Sequence, residues 1–285
     1  MSECTLCPRE CRIDRSVKAG ACGCGDKIML AKYMLHFGEE PCITGTRGSG
    51  AVFFSGCGLR CVFCQNFPIS RGQKGEIISP ERLSDILSEL RDMGAHNINF
   101  VTGTHYADQI ARVLGKCKAD LGIPVVYNCS GYEKVETLKM LDGLIDIYLP
   151  DLKYYSTELS ARYSAAPDYF EKAMPALKEM LRQQPEVKMT DGIMTNGVIV
   201  RHLVLPKGYR DSIRLMDEIA ALPHRPLVSI MRQYTPCYDA VNYPEINRRL
   251  TTFEYDKVVN HCADLGLEGF TQEKGCENLD MTPEF

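Results

Sequence analysis

Between Ala51 and Met231 the chain repeats one pattern six times: a short apolar run, then a stretch with helical spacing. The runs are AVFFS (51–55), NINFV (97–101), IPVVY (123–127), LIDIYL (144–149), VIVRHLVL (198–205) and LVSIM (227–231). Each is too short for a buried helix and reads as a strand. The first helix opens with Ser79 as N-cap and Pro80 at its first position. Leu83, Ile86, Leu87 and Leu90 share one face, and Gly94 ends it. Ile110, Val113, Leu114 and Cys117 mark the next helix; others are expected near 133–141, 168–182 (bent at Pro175) and 211–221. The last starts at Thr251, with Glu254 completing a capping box. Strands that alternate with helices form a parallel sheet with right-handed crossovers. Two architectures satisfy this, an open doubly wound sheet and a full or partial βα barrel. In both, chemistry gathers where strands end.

Polar residues stand at those ends: TGTHY (102–106), NCSGY (128–132), PDLKY (150–154), and Arg201 and His202 within the fifth strand. Residues 1–48 lack the rhythm and read as a small cysteine-rich appendage to a domain spanning 49–285. The 285 residues carry a net charge of −4, which gives no electrostatic case for nucleic acid or an anionic membrane as partner. No apolar run nears the ~20 residues of a membrane span, and MSECTLCPRECRID has no signal-peptide core, so a cytoplasmic location is expected.

Fourteen cysteines is a high count, and without an export signal they point to metal rather than disulfides. Cys42, Cys117, Cys129, Cys237, Cys262 and Cys276 are scattered and read as small buried apolar residues. Met174, Met180 and Met216 read as core. Two bunches remain. SGCGLRCVFCQN places Cys57, Cys61 and Cys64 within eight residues, directly after the first strand. One such loop does not complete a tetrahedral zinc site. A [4Fe–4S] cluster takes one thiolate per iron, so three thiolates leave one iron open to a small molecule.

The spacing CxxxCxΦC, with Phe63 as the aromatic, resembles the signature of radical S-adenosylmethionine (SAM) enzymes. The resemblance implies a full or partial (β/α)6 barrel with the N-terminal cysteine-rich appendage added. It also implies that SAM chelates the open iron through its amino and carboxylate groups. One-electron reduction then cleaves the sulfonium, and the 5′-deoxyadenosyl radical abstracts hydrogen from a substrate. Over residues 51–206 the chain looks most like the activating enzymes that install a glycyl radical on a partner, exemplified by pyruvate formate-lyase activating enzyme. By that likeness backbone groups of Thr102, Gly103 and Thr104 hold the SAM amino group, and NCSGY, with Asn128 and Ser130, matches the segment after the third strand. PDLKY matches an Asp-Leu-Lys motif. Such enzymes work anaerobically with flavodoxin or ferredoxin as electron donor.

A SAM carboxylate in an enclosed site needs a compensating cation, Lys153 or Arg201, oriented by Asp151. Strand alternation turns Arg201 and His202 to opposite faces, so one points inward; Arg201 is preferred and His202 is the alternative. Asn128 stands where the activating enzymes have an aspartate associated with a monovalent cation, which puts that cation in doubt. The second bunch, Cys4, Cys7, Cys11 and Cys22 with Cys24 competing for fourth place, suits zinc or an auxiliary iron–sulfur cluster. His36, Glu39 and Glu40 in HFGEEP face either the substrate or the domain junction. The tyrosine-rich segment after the sixth strand is a lid, a partner surface or a packed crossover. Three functions fit: an activase for a glycyl radical enzyme, a radical SAM enzyme for a small molecule or peptide, and a non-catalytic metal scaffold or electron carrier.

Overall fold

The computed structural model describes residues 3–71, 74–276, 283 and 285. A cysteine-rich coil leads into β1 (Ile28–His36), the single turn α1 (Pro41–Thr44) and β2 (Ser49–Phe54). The cysteine loop, α2 (Phe67–Ser70) and β3 (Glu76–Ile78) follow. Then come α3 (Pro80–Asp92), β4 (Ile98–Val101), α4 (Ala107–Leu121), β5 (Val125–Cys129), α5 (Val135–Lys139) and β6 (Ile147–Pro150). Two helices, α6 (Thr157–Ser164) and α7 (Tyr169–Gln183), precede the hairpin of β7 (Lys188–Thr190) and β8 (Ile193–Leu203). The described chain continues through α8 (Tyr209–Ala220), β9 (Leu227–Met231), α9 (Thr252–Asp264) and β10 (Gly269–Thr271).

The strand order β10-β9-β8-β6-β5-β4-β2-β1-β3 decides between the two architectures. From β2 to β10 the neighbours are parallel and follow chain order without reversal. A doubly wound sheet reverses its order at a switch point; a barrel does not. Among the described residues β2 and β10 share no pairing, so the barrel is partial. The seam next to β2 is lined by β1, which runs antiparallel to both β2 and β3. Residues 28–36 thus belong to the main sheet, and the expected domain boundary at residue 48 has no counterpart there. The described coil before β1 stands outside the sheet.

Local signals explain the elements. Ser79 accepts from Arg82 N (3.1 Å), and Leu83, Ile86, Leu87 and Leu90 of α3 are fully buried against the sheet. Burial of each such side chain is worth about 1.5–3 kcal/mol. The capping box of Thr251 and Glu254 opens α9. Pro175 lies inside α7, which runs on past it. On the inner face Cys42 and Ile43 of α1 pack against Val126, Ile147, Leu149 and Ile199. They plug one end of the barrel with apolar side chains, leaving the end where the strands finish for polar ones. The three core methionines are buried as expected, and so are Cys42, Cys117, Cys129 and Cys262; Cys237 and Cys276 are half-buried. No helix among the described residues is long and apolar enough to cross a membrane.

Candidate functional site

At the open end a cavity of about 250 Å³ is lined by Cys57, Cys61, Phe63 and Cys64 on one wall. Thr102, Asn128, Ser130, Asp151, Lys153 and Arg201 line the strand ends opposite. The sequence reading therefore brings ten of its candidates to one place. Three others lie elsewhere. His202 is buried on the helix side of β8, its Nδ1 2.6 Å from Leu152 O and its Nε2 2.7 Å from Ser212 Oγ. Nδ1 can only donate to a carbonyl, so Nε2 accepts from the serine, and burial holds the ring neutral with its pKa lowered to about 4. A side chain built on Gly103 would point at the Tyr127 ring (3.2 Å), away from the cavity. Thr104 is buried, its Oγ1 donating to Glu133 Oε1 at 2.6 Å. Both follow the turn off the strand end toward α4; of that trio Thr102 lines the cavity, and a role for the Gly103 and Thr104 backbone groups is kept as a proposal.

The cysteine loop is fixed from three sides. Gly56 has φ +91°, and a Cβ there would sit 2.8 Å from Cys22 O, so glycine is required. The loop's backbone pairs with the end of α6 through Val62 N to Tyr163 O (2.9 Å) and Arg60 N to Ser164 O (3.3 Å). The tyrosine-rich segment packs against it too: Asp239 N donates to Val62 O (2.9 Å), and the Tyr234 ring meets Phe63 edge-on at 5.9 Å. From the N-terminal coil, Arg9 spans the junction, donating to Gly58 O (2.7 Å), Ala165 O (2.5 Å) and Ser164 O (3.2 Å). Cys57 N donates to Cys22 O (3.1 Å).

Burial first, then the neighbouring Cys61 and Cys64, pushes the Cys57 thiol up to about 12; burial and Cys61 likewise raise Cys64. Thiols so placed ionise only when a cation takes up their charge. No three His, Cys, Asp or Glu side chains among the described residues converge on a single metal ion. Three uncoupled cysteines spread around one cavity instead fit a polynuclear group, one thiolate per iron. In the N-terminal coil the Cys11 and Cys22 sulfurs both flank Gly20, each 3.4 Å from where a Cβ there would sit, and the zinc or auxiliary iron–sulfur cluster expected of Cys4, Cys7, Cys11 and Cys22 is kept as a proposal. Cys7 and Cys22 are buried in the packing beneath the loop, and Cys24 is too, donating its thiol to Ser55 O at 3.1 Å.

Opposite the cysteines lies a charge network that sequence spacing does not announce. Arg201 donates through Nη1 to Glu39 Oε2 (2.8 Å), through Nη2 to Asn128 Oδ1 (2.6 Å) and through Nε to Asp151 Oδ1 (3.0 Å). Glu39 Oε1 accepts from Asn99 Nδ2 (2.9 Å) and Asn128 Nδ2 (3.1 Å). Of the two roles open for HFGEEP, Glu39 thus takes a place in the cavity wall, beside His36. Its carboxylate explains Asn128: an aspartate there would oppose Glu39, whereas the amide donates to it. The guanidinium bridges these acceptors, with Lys153 as a second cation beside Asp151.

Lys153 Nζ donates to Asp151 Oδ2 at 2.6 Å. Burial opposes its charge, but Asp151 and Cys61 outweigh it and its pKa is raised. Burial likewise opposes the Asp151 carboxylate, and Lys153 and Arg201 together hold its pKa below the ordinary value. Arg201 has given three of its five N–H groups, to Glu39, Asn128 and Asp151, while Lys153 has given one of its three protons. Lys153 therefore keeps two donors for an incoming carboxylate, on a side chain not already tied to three acceptors.

A model of the radical SAM superfamily matches residues 51–196. An uncharacterised protein of Methanocaldococcus jannaschii is 32% identical over 274 residues, covering 93% of this chain and 75% of its own. Among solved structures, SuiB of Streptococcus suis bound to S-adenosylmethionine superposes with a TM-score of 0.55 at 16% identity, over 80% of this chain and 51% of that one. Methylornithine synthase gives 0.55 at 15% identity, over 83% and 77%.

Proposed function

The chain belongs to the radical SAM superfamily, and on that premise we propose that it is an activase that draws hydrogen from a glycine of a partner protein. The superfamily implies a [4Fe–4S] cluster and SAM. Cys57, Cys61 and Cys64 are the residues that would hold the cluster, which when bound supplies the electron that cleaves SAM to a hydrogen-abstracting adenosyl radical. The observation that carries the proposal is the pairing of three cysteines and one donor-rich cation, Lys153, across a single cavity.

Lys153 receives the SAM carboxylate, and Asp151 holds the ammonium in place while Arg201 holds Asp151. Phe63 closes the apolar side of the loop. Thr102, whose Oγ1 donates to Asn128 O (3.2 Å), and Ser130 border the rest of the cofactor. With Lys153 used and Arg201 bound to Glu39, Asp151 and Asn128, the described residues that line the cavity include no further lysine or arginine for an anionic substrate. The remaining polar wall includes the amides of Gln65, Asn66 and Gln233, which suit a neutral peptide backbone. That favours a protein glycine over a small charged metabolite. The second reading, a small molecule or peptide, keeps the same cofactor chemistry. Flavodoxin or ferredoxin is the proposed electron donor.

Anaerobic reconstitution followed by electron paramagnetic resonance, with and without SAM, tests the chemistry. We expect a reduced-cluster signal that changes with SAM, and 5′-deoxyadenosine under dithionite. Cys61→Ala should abolish both, and Cys24→Ala neither. An unchanged spectrum with no 5′-deoxyadenosine favours the scaffold reading. A glycyl-radical signal on an added partner enzyme separates activase from small-molecule enzyme; deuterium transferred from a labelled metabolite instead would overturn the activase.

A further inference from the structure

Behind the cysteine loop stand two buried hydroxyls that neither the cluster ligands nor the SAM pocket account for. Ser164, the last residue of α6, is fully buried, and Tyr154 is 1% exposed. Ser164 Oγ donates to Cys61 Sγ at 3.0 Å, and the Tyr154 hydroxyl lies 2.7 Å from Ser164 Oγ. A serine hydroxyl has one proton. Since that proton goes to the sulfur, the phenol must donate to Ser164 Oγ. The result is a directed chain, O–H···O–H···S, ending on one cysteine.

We propose that Ser164, backed by Tyr154, is a positioning residue that hydrogen-bonds the Cys61 thiolate and raises the reduction potential of the cluster. This rests on the assignment of Cys57, Cys61 and Cys64 as its ligands. Reduction adds one electron, shared among iron and sulfur, and a donor aimed at a coordinating sulfur stabilises the more negative state. The phenol polarises the serine hydroxyl and strengthens its bond to sulfur. The geometry is held on every side. Ser164 O accepts from Arg60 N (3.3 Å) and Arg9 Nη2 (3.2 Å), locking the end of α6 to the loop that carries Cys61. Ala165 turns the chain away in a left-handed conformation (φ 50°). The Tyr154 ring meets Tyr169 edge-on at 5.4 Å, and the Tyr169 hydroxyl shares its one proton between Ser130 O and Asp151 O (2.7 and 2.8 Å). The hydroxyl chain is thereby fixed to the strand ends that line the cavity.

The test is an anaerobic redox titration of the reconstituted full chain, without SAM, followed by the reduced-cluster paramagnetic signal. Ser164→Ala should shift the one-electron equilibrium about tenfold toward the oxidised cluster, about 59 mV lower. Tyr154→Phe keeps the serine donor and should shift it the same way by less. Ser164→Thr restores a hydroxyl and should return the wild-type potential. Pulsed resonance after transfer to D2O should show an exchangeable proton coupled to the cluster in the wild type and lost in Ser164→Ala. If the alanine variant takes up no iron, Tyr154→Phe and Ser164→Thr decide. Wild-type potentials in both Ser164→Ala and Tyr154→Phe overturn the inference while leaving the cluster assignment intact. A wild-type chain that binds no cluster at the loop overturns both.

Discussion

Arg201→Met removes the one cation that Glu39, Asn128 and Asp151 share, and its effect can be worked from the geometry. The Arg201 side chain is 15% exposed, Glu39 6% and Asp151 20%. Removing one partner of a buried ion pair costs about 3–5 kcal/mol, because the other charge is left uncompensated. Here the remaining groups soften the loss: Glu39 keeps two amide donors, and Asp151 keeps Lys153. The expected cost is therefore at the low end, about 3 kcal/mol, which for a chain of this size lowers Tm by about 6–12 °C. Thermal unfolding of the cluster-free protein at pH 7 measures it. The pH dependence supplies the sign. Asp151 has a lowered folded pKa, so its stabilising contribution is present above the ordinary carboxylate pKa and is lost as pH falls through the folded value. Without Arg201 that loss sets in at higher pH. The gap between wild type and variant should then shrink once the carboxylates of both are protonated. The double variant Glu39→Gln/Arg201→Met should recover about 1–2 kcal/mol relative to additivity. A double variant whose loss is the plain sum of the two single losses would refute the network as the source of the effect.

Further outcomes follow from other contacts. Arg9→Ala should raise hydrogen exchange of the 57–64 backbone amides about thirtyfold in the cluster-free chain, corresponding to about 2 kcal/mol of local stability. Unchanged exchange would mean the coil does not hold the loop. Glu133 is fully buried, and burial lifts its pKa to about 8 against the pull of its Thr104 and Tyr127 hydrogen bonds. A carboxyl with a raised folded pKa contributes stability that is present below its unfolded pKa and is lost as pH rises toward 8. Urea titrations should therefore show wild type losing ground to Glu133→Gln between pH 5 and pH 8. His202→Gln should leave SAM affinity within about twofold while costing about 1–3 kcal/mol of stability through unsatisfied partners. A large loss of SAM affinity in a folded His202→Gln protein would return that residue to the cavity.

The barrel was readable because its strands are apolar and its helices amphipathic, and these periodicities are local. Ser79, Thr251 and Glu254 fall where the pattern puts them for the same reason. What escaped is what depends on partners distant in the chain. Glu39 and Arg201 meet across 162 positions, and nothing in HFGEEP marks it as the arm of that pair. β1 carries an apolar strand but sits beside the cysteines, so composition drew it into the appendage. TELSARYS is a short helix without a strong stripe, and its last serine gains meaning only when the fold brings Cys61 to it. The likeness put backbone groups of Gly103 and Thr104 at the cofactor, but it could not show that the Thr104 side chain turns to Glu133. Alternation along β8 correctly set Arg201 and His202 on opposite faces, because that rule needs only two consecutive residues.

The clamp made by Arg9 also bears on how the protein is built. Arg9 leaves the ribosome 155 residues ahead of Ser164 and 156 ahead of Ala165. Until then the guanidinium has no far side to grip, and the nascent cysteine loop is held by the early segments alone. Iron and sulfide delivered during that interval meet an open loop; delivered afterwards, they must enter one already fastened shut from behind.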